Sequence, residues 1–218
     1  GQTLFDLGLL RRVSLGLNDL ISSQSQDGGW ETTGQTIDSL LALTTAGWDP
    51  ATVTQEDGAS PVTFITENLE AFIQAGSDAM GKALIAAVAA GENPEDFGGV
   101  NLVSRLMVTY DKNFGSFGDP ANTWHQTLAI LGLSAAEADI PEDAVATLIE
   151  LQQADGGWEY AAGFGTWPDS TALAIQAMIA AGIPVEDQTI IDALEYLQST
   201  QTADGDWGDA STTSYVLM

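Results

Sequence analysis

The sequence predicts an all-α fold of repeated helical hairpins, and three observations predict it. The phrase Q-x-x-D-G-[GD]-W occurs at 24–30, 152–158 and 201–207, each time after one helix-like apolar run and before another. The segments Leu40–Gly47, Leu84–Gly91 and Ile175–Gly182 are Ala-rich and apolar, stop at glycine, and have Pro50, Pro94 and Pro184 close behind. Glycine just past a helix accepts the left-handed conformation and proline cannot continue the helix, so each segment is a helix end. No segment carries the period-two alternation of a strand.

In chain order the pattern predicts helices near 4–23, 35–46, 61–74, 78–90, 100–110, 121–135, 141–153, 169–181 and 187–199, with another opening near Ser211. The first runs into the turn at 24–30. Ser60-Pro61 starts the third, because proline suits a first helical position. The turn at 74–78 lacks a tryptophan and is a degenerate repeat turn, with Asp78 placed to N-cap the Ala-rich helix after it. A second degenerate turn, 111–117, keeps the glycine and an aromatic, Phe117, with Asp111 where the glutamine belongs. Ile140-Pro141-Glu142-Asp143 opens the next helix, and the turn at 152–158 closes it. Asp169 is placed to N-cap the helix from 169, and the turn at 201–207 precedes the last. Phe117, Trp158 and Trp207 follow one another at steps of roughly 40 to 50 residues, the period of helix-pair repeats.

Two kinds of helix alternate. Ala144–Leu151 and Ile190–Leu197 are amphipathic and keep one side in water, whereas Ala172–Ala181 is apolar nearly all round and must be covered on both sides. A closed or closing double ring fits this, with Ala-rich helices inside around a central cavity. The 218 residues, 44% hydrophobic and without a Pro/Gly/Ser-rich break, form one domain over 1–218 with a single continuous core.

The formal charge of −26, from 31 acidic and 5 basic residues, repels phosphate backbones and anionic headgroups, which excludes nucleic acid as a partner class. Such a surface is either solubilising and salt-adapted, or its acidic loops bind a divalent cation such as calcium. The absence of cysteine removes disulfides, thiolate nucleophiles and cysteine-ligated zinc. The longest apolar stretches, near 83–90 and 172–181, are too short for a transmembrane helix. No signal peptide is visible, and both ends read as processed or cut, since the chain opens inside a helix-like pattern and stops as a last helix begins.

The phrases at 24–30, 152–158 and 201–207, preceded by Leu20-Ile21, Leu148-Ile149 and Tyr196-Leu197, resemble the QW repeats of the squalene-cyclase and protein-prenyltransferase superfamily. The resemblance covers nearly the whole chain and implies an α/α toroid, a double ring of helical hairpins, with about five hairpins here and not necessarily a complete ring. Phe114–Asp119 followed by Gln126-Thr-Leu-Ala-Ile-Leu is also similar to the helical domain of cobalamin carriers related to intrinsic factor and transcobalamin, which makes cobalamin a candidate ligand.

In each repeat turn the glutamine amide can satisfy helix-end carbonyls and the N–H groups opening the next helix, while the tryptophan packs over the bend that Asp-Gly supplies. Gln24, Trp30, Phe117, Gln152, Trp158, Gln201 and Trp207 are therefore read as structural. The superfamily's enzymatic equipment does not map onto the chain. Its prenyltransferases hold zinc with Asp, Cys and His, and here there is no cysteine and a single histidine. Its class II cyclases protonate an alkene from a D-x-D-D acid, and Asp204-Gly-Asp-Trp and Asp119-Pro-Ala-Asn do not match. No phosphate-binding loop, Rossmann glycine pattern or nucleophile elbow is present.

Two regions are candidates for a site. Trp124-His125 opens an inner helix, where His125 is a general base, a metal ligand, a lower ligand to a corrin cobalt, or simply a hydrogen-bonded helix-start histidine. The loop Glu159–Asp169 sets three aromatics, Tyr160, Phe164 and Trp167, and two carboxylates before another inner helix. With inner-helix starts gathered at one mouth, Trp124, His125, Tyr160, Trp167 and Asp169 are the ligand-binding candidates. The expectation is a non-catalytic module at the cell surface or outside the cell that binds a hydrophobic or corrinoid small molecule, or a protein. A cyclase-like enzyme with a divergent or missing acid motif, and a structural subunit of a larger assembly, are the alternatives.

Overall fold

A computed structural model describes residues 2–217, with side chains from Arg11 onward. Ten helices account for most of it: α1 Gln2–Ser22, α2 Thr33–Thr45, α3 Pro61–Ile73, α4 Ser77–Ala89, α5 Leu102–Val108, α6 Thr123–Ala135, α7 Glu142–Glu150, α8 Pro168–Ala180, α9 Gln188–Thr200 and α10 Ala210–Leu217. The fold is all-α, with each sequence-derived helix present within a few residues of its expected limits. The exceptions to helix are two antiparallel ladders, β1 Tyr110–Asp111 with β2 Ser116–Phe117, and β3 Trp158–Glu159 with β4 Thr166–Trp167. They correct the expectation of no strand. Two-residue ladders are too short to show alternation, and they arise because the chain reverses on itself just after a repeat aromatic.

The helix ends follow from local chemistry. Thr32, Ser60, Asn101, Asn122 and Asp187 accept backbone N–H groups of the first turns of α2, α3, α5, α6 and α9. Asp78 and Asp169 are not caps. Gly76 and Trp167 hold the cap positions of α4 and α8, and both aspartates lie inside the first turn, where a carboxylate still favours the positive helix end. Pro141 is likewise the residue before α7, not its first. At the other ends, α2, α4 and α8 stop as expected, on left-handed Gly47, Gly91 and Gly182. Trp48, Glu92 and Ile183 then donate back to Leu43, Ala87 and Met178 carbonyls. Helix α6 ends on the same pair of bonds with left-handed Glu137 in the glycine position, so the hydrogen-bond pattern outlasts the residue that favours it.

Two helix classes alternate. Eight of the thirteen residues of α6 and of α8 and seven of the thirteen of α4 are buried, against two in α7 and four in α9, so α4, α6 and α8 are covered on more sides. Helices α2, α4, α6, α8 and α10 touch one another in series, and α3, α5, α7 and α9 pack on that row. The tightest pair is α4 and α6. A Cβ on Gly81 would collide with the Leu128 carbonyl, and one on Gly132 would lie 2.7 Å from the Gly81 carbonyl oxygen, so only glycine lets these backbones meet.

The core is a succession of clusters rather than the single block expected. Trp30, Leu43 and Val53 form the first, Ile37 through Ala144 the largest, and Ile130 through Leu197 the third, with α6 contributing to the last two and Ile140 packed against both. A chain in which each hairpin meets its sequence neighbours buries its apolar surface in this stepwise way.

Candidate ligand-binding site

The repeat phrase folds to one hydrogen-bonded unit in all three copies. Gln24, Gln152 and Gln201 donate from Nε2 to the carbonyls of Gly28, Gly156 and Gly205 at 3.0, 3.0 and 2.9 Å. Gln24 and Gln152 reach further, to Val53 and Thr189 carbonyls, which ties the turn to the segment carrying the next outer helix. The expectation that these amides also meet N–H groups of the following helix does not hold; their bonds are to carbonyls. Each indole N–H donates to the carbonyl ten residues earlier, Trp30 to Leu20, Trp158 to Leu148 and Trp207 to Leu197. Each tryptophan backbone N–H donates to a threonine hydroxyl on the next helix, Thr36, Thr171 and Thr213.

Sequence reasoning missed these threonines, although the spacing W-x5-T at 30–36 and 207–213 is visible in the chain. In the degenerate copy Phe117 keeps the bond through Gln126, whose Oε1 accepts from Phe117 N–H while Nε2 donates to the Phe117 and Asp119 carbonyls. The donors of these residues are engaged by the fold, with Trp158 and Phe117 fully buried, although the buried Gln24 Oε1 has no hydrogen-bond partner among the described residues.

The ladder β3–β4 makes a finger whose tip is folded by Glu159, accepting from Gly163 and Gly165 N–H groups at 2.8 and 2.9 Å. The finger docks on α6: Thr123 N–H donates to the Tyr160 carbonyl at 3.0 Å, and Asn122 bridges to Ala161. This brings Tyr160 against Trp124, with ring centroids 5.8 Å apart in an edge-to-face contact. Trp124 meets Tyr215 of α10 at 5.7 Å, and Tyr160 meets Phe164 at 6.0 Å. Four rings thus run in sequence from half-buried Tyr215 through Trp124 and Tyr160 to Phe164, which is 69% exposed.

The polar edge of this run is Asp169. Its Oδ1 accepts from Ser170 N–H at 2.6 Å and lies 3.3 Å from the Ser170 hydroxyl, which in turn accepts from Trp124 Nε1 at 3.0 Å. Burial, with the carboxylates of Asp38 and Asp169 adding to it, pushes the Tyr215 phenol up to about 12. Two acids from α2 and α8 therefore bear on one ring of α10. Asp38 also pairs with Lys82 of α4 at 2.7 Å.

Of the five candidates, Trp124, Tyr160 and Asp169 come together. Trp167 pairs with Trp158 in the ladder and is 52% exposed. His125 is turned elsewhere: Nδ1 accepts from Asp119 N–H at 3.0 Å, and Nε2 faces Asp78 Oδ1 at 3.7 Å. Accepting at Nδ1 leaves the proton of the neutral ring on Nε2, toward the carboxylate. That is the arrangement of a helix-start histidine held by its neighbours. Tyr215 was missed, because nothing local to α10 marks a ring that meets α6.

Among the described residues no three His, Asp or Glu side chains converge on a metal position. A polar cleft of about 400 Å³ opens beside the first repeat turn, lined by Ser23, Trp30, Glu31, Gln35 and Asp38. None of the four rings lines it; Tyr160 and Phe164 are exposed, whereas Trp124 and Tyr215 are half-buried. No described helix is long and apolar enough to cross a membrane. Neither the protein-family models nor the curated proteins give a match to this chain.

Proposed function

We propose that this chain is an α/α-toroid-type repeat module, similar in plan to the helical domains of terpenoid cyclases and prenyltransferases, that works by binding rather than catalysis. The observation that carries the reading is the run of four rings on rigid supports, ending in exposed aromatics at the starts of the inner helices. Large aromatics at a surface contribute contact area at low conformational cost, and they are enriched where proteins bind. The serial contact of α2, α4, α6, α8 and α10, with α3, α5, α7 and α9 packed on that row, supports two layers of alternating helices as a toroid would have.

Titration of the protein with an isoprenoid alcohol and with cobalamin, read by tryptophan fluorescence, tests binding. Saturable quenching that Trp124→Phe and Tyr160→Ala weaken supports a small-molecule module. A mass-spectrometric screen with squalene and prenyl diphosphates tests the other half of the reading. Any cyclised or prenylated product overturns it.

A further inference from the structure

The finger of β3 and β4 exposes Tyr160 at 41%, Phe164 at 69% and Trp167 at 52% within a few residues of one another. The cleft beside the first repeat turn is not lined by these rings, and three exposed aromatics carried on one finger suit contact with a macromolecule. The charge decides which macromolecule. With −26 on 218 residues, nucleic acid and anionic membrane are repelled, and a basic polypeptide is attracted and steered.

No Lys or Arg lies between Lys112 and Met218, so the acids of the finger and of α7, α8 and α9 have no lysine or arginine beside them in the sequence, while α6 and α10 carry no acid. Asp155 and Asp169 bracket the finger at its base, and Asp155 is itself fixed there by the Thr166 hydroxyl at 2.7 Å. Aromatic faces accept ammonium and guanidinium groups, and the carboxylates beside them would hold the same charge. Glu159 is consumed by the tip of the finger and serves to keep Phe164 presented.

We propose that the finger Trp158–Trp167, with Trp124 and Asp169 at its base, is a docking surface for a basic segment of a partner polypeptide, its Lys or Arg side chains lying on the exposed rings. The inference rests on the binding-module reading and names the partner for it.

The test uses the full chain and a fluorescent peptide of alternating arginine and leucine, with a citrulline-for-arginine peptide as the uncharged match, read by anisotropy at two salt concentrations. The arginine peptide is expected to bind at least about tenfold tighter than the citrulline peptide and to weaken with salt. Phe164→Ala and Trp167→Ala are each expected to weaken it about fivefold or more. Trp48→Ala, an exposed tryptophan after α2, is expected to leave it unchanged, with thermal melts confirming that all variants fold.

Equal binding of the two peptides with loss in the finger variants overturns the basic-partner inference and keeps the module reading. Arginine-peptide binding indifferent to the finger variants shows diffuse attraction to the acidic surface and overturns the inference as well. Absence of binding by either peptide overturns it too, and if cobalamin and isoprenoids also fail, the module reading falls with it and a scaffold role stands in its place.

Discussion

The turns at 152–158 and 201–207 have nearly the same sequence and the same internal bonds, yet only the first is locked into its surroundings. In both, the glutamine amide meets the carbonyl of the Asp-Gly glycine, the indole meets the carbonyl ten residues back, and the backbone N–H meets a threonine of the next helix. Trp158 is wholly buried, Gln152 has a second bond to Thr189, and a Cβ on Gly156 would collide with the Asp192 carbonyl of α9. Trp207 is half-buried, Gln201 has its single bond, and beside Gly205 there is open space apart from that glutamine. The phrase encodes a turn by itself. Its burial comes from the hairpin that packs over it.

Substitutions at paired positions should separate these two contributions. The largest difference is expected at the tryptophans: Trp158→Ala should destabilise by about 3–5 kcal/mol through loss of a fully buried aromatic. Trp207→Ala should cost about 1–2 kcal/mol, since it keeps part of its surface in water. Urea melts of the two variants at unchanged m-value provide the comparison, and equal losses would mean that the internal bonds alone set the stability of the turn.

The glycines should come next. Both take left-handed φ, +86° at Gly156 and +87° at Gly205, so alanine at either is strained by about 1–2 kcal/mol. At Gly156 the collision with α9 adds about 1–3 kcal/mol more. A Gly205→Ala loss as large as that of Gly156→Ala would show that space around the turn is irrelevant.

For the glutamines a smaller gap is expected. Gln152→Ala leaves two carbonyls without their donor and should cost about 1–3 kcal/mol, whereas exposed Gln201→Ala should cost about 0.5–1.5 kcal/mol because water replaces the bond. Adding a second substitution at Thr189 cannot test this, since the acceptor is its backbone carbonyl; the Gln152→Glu variant does, by placing a carboxylate against two carbonyls.

The smallest effect concerns α10, the helix that the 201–207 turn introduces. The Tyr215 phenol titrates near 12 in the folded chain against the ordinary 10.0, so the folded state holds this proton more tightly than the unfolded chain does. Its contribution is complete below about pH 10 and is lost as pH rises toward 12. Burial raises Tyr110 and Tyr196 in the same sense. The unfolding free energy should therefore fall between pH 9 and 11.5, and more steeply in the native chain than in Tyr215→Phe. An identical slope in the variant would mean that folding does not raise this phenol, removing burial as well as the Asp38 and Asp169 carboxylates from the account of the ring.

How much of this was legible before the structure follows the same division between local and long-range. Helix ends rest on the residues beside them, so Gly47, Gly91, Gly182, Ser60 and Pro61 could be read directly. Asp78 and Asp169 were misassigned by two positions because caps and first-turn acids favour the same side chains. The ladders escaped notice because their pairing depends on a reversal of the chain, not on pattern. Within the site, Trp124 and Asp169 could be grouped from their places at helix starts and Tyr160 from the loop that precedes one. Tyr215 could not, since its contact with Trp124 depends on how α6, α8 and α10 stack, and His125, prominent as the sole histidine, is held away by Asp119 and Asp78.

The indole bonds of the repeat turns also sort the chain's six tryptophans for spectroscopy. Trp30, Trp158 and Trp207 each clamp the carboxyl end of an outer helix, α1, α7 or α9, and Trp124 donates to Ser170. Trp48 and Trp167 are exposed and have no indole partner among the described residues. In deuterated water two indole signals should vanish at once while the others fade at their own rates, so each repeat would carry a separate clock for its opening.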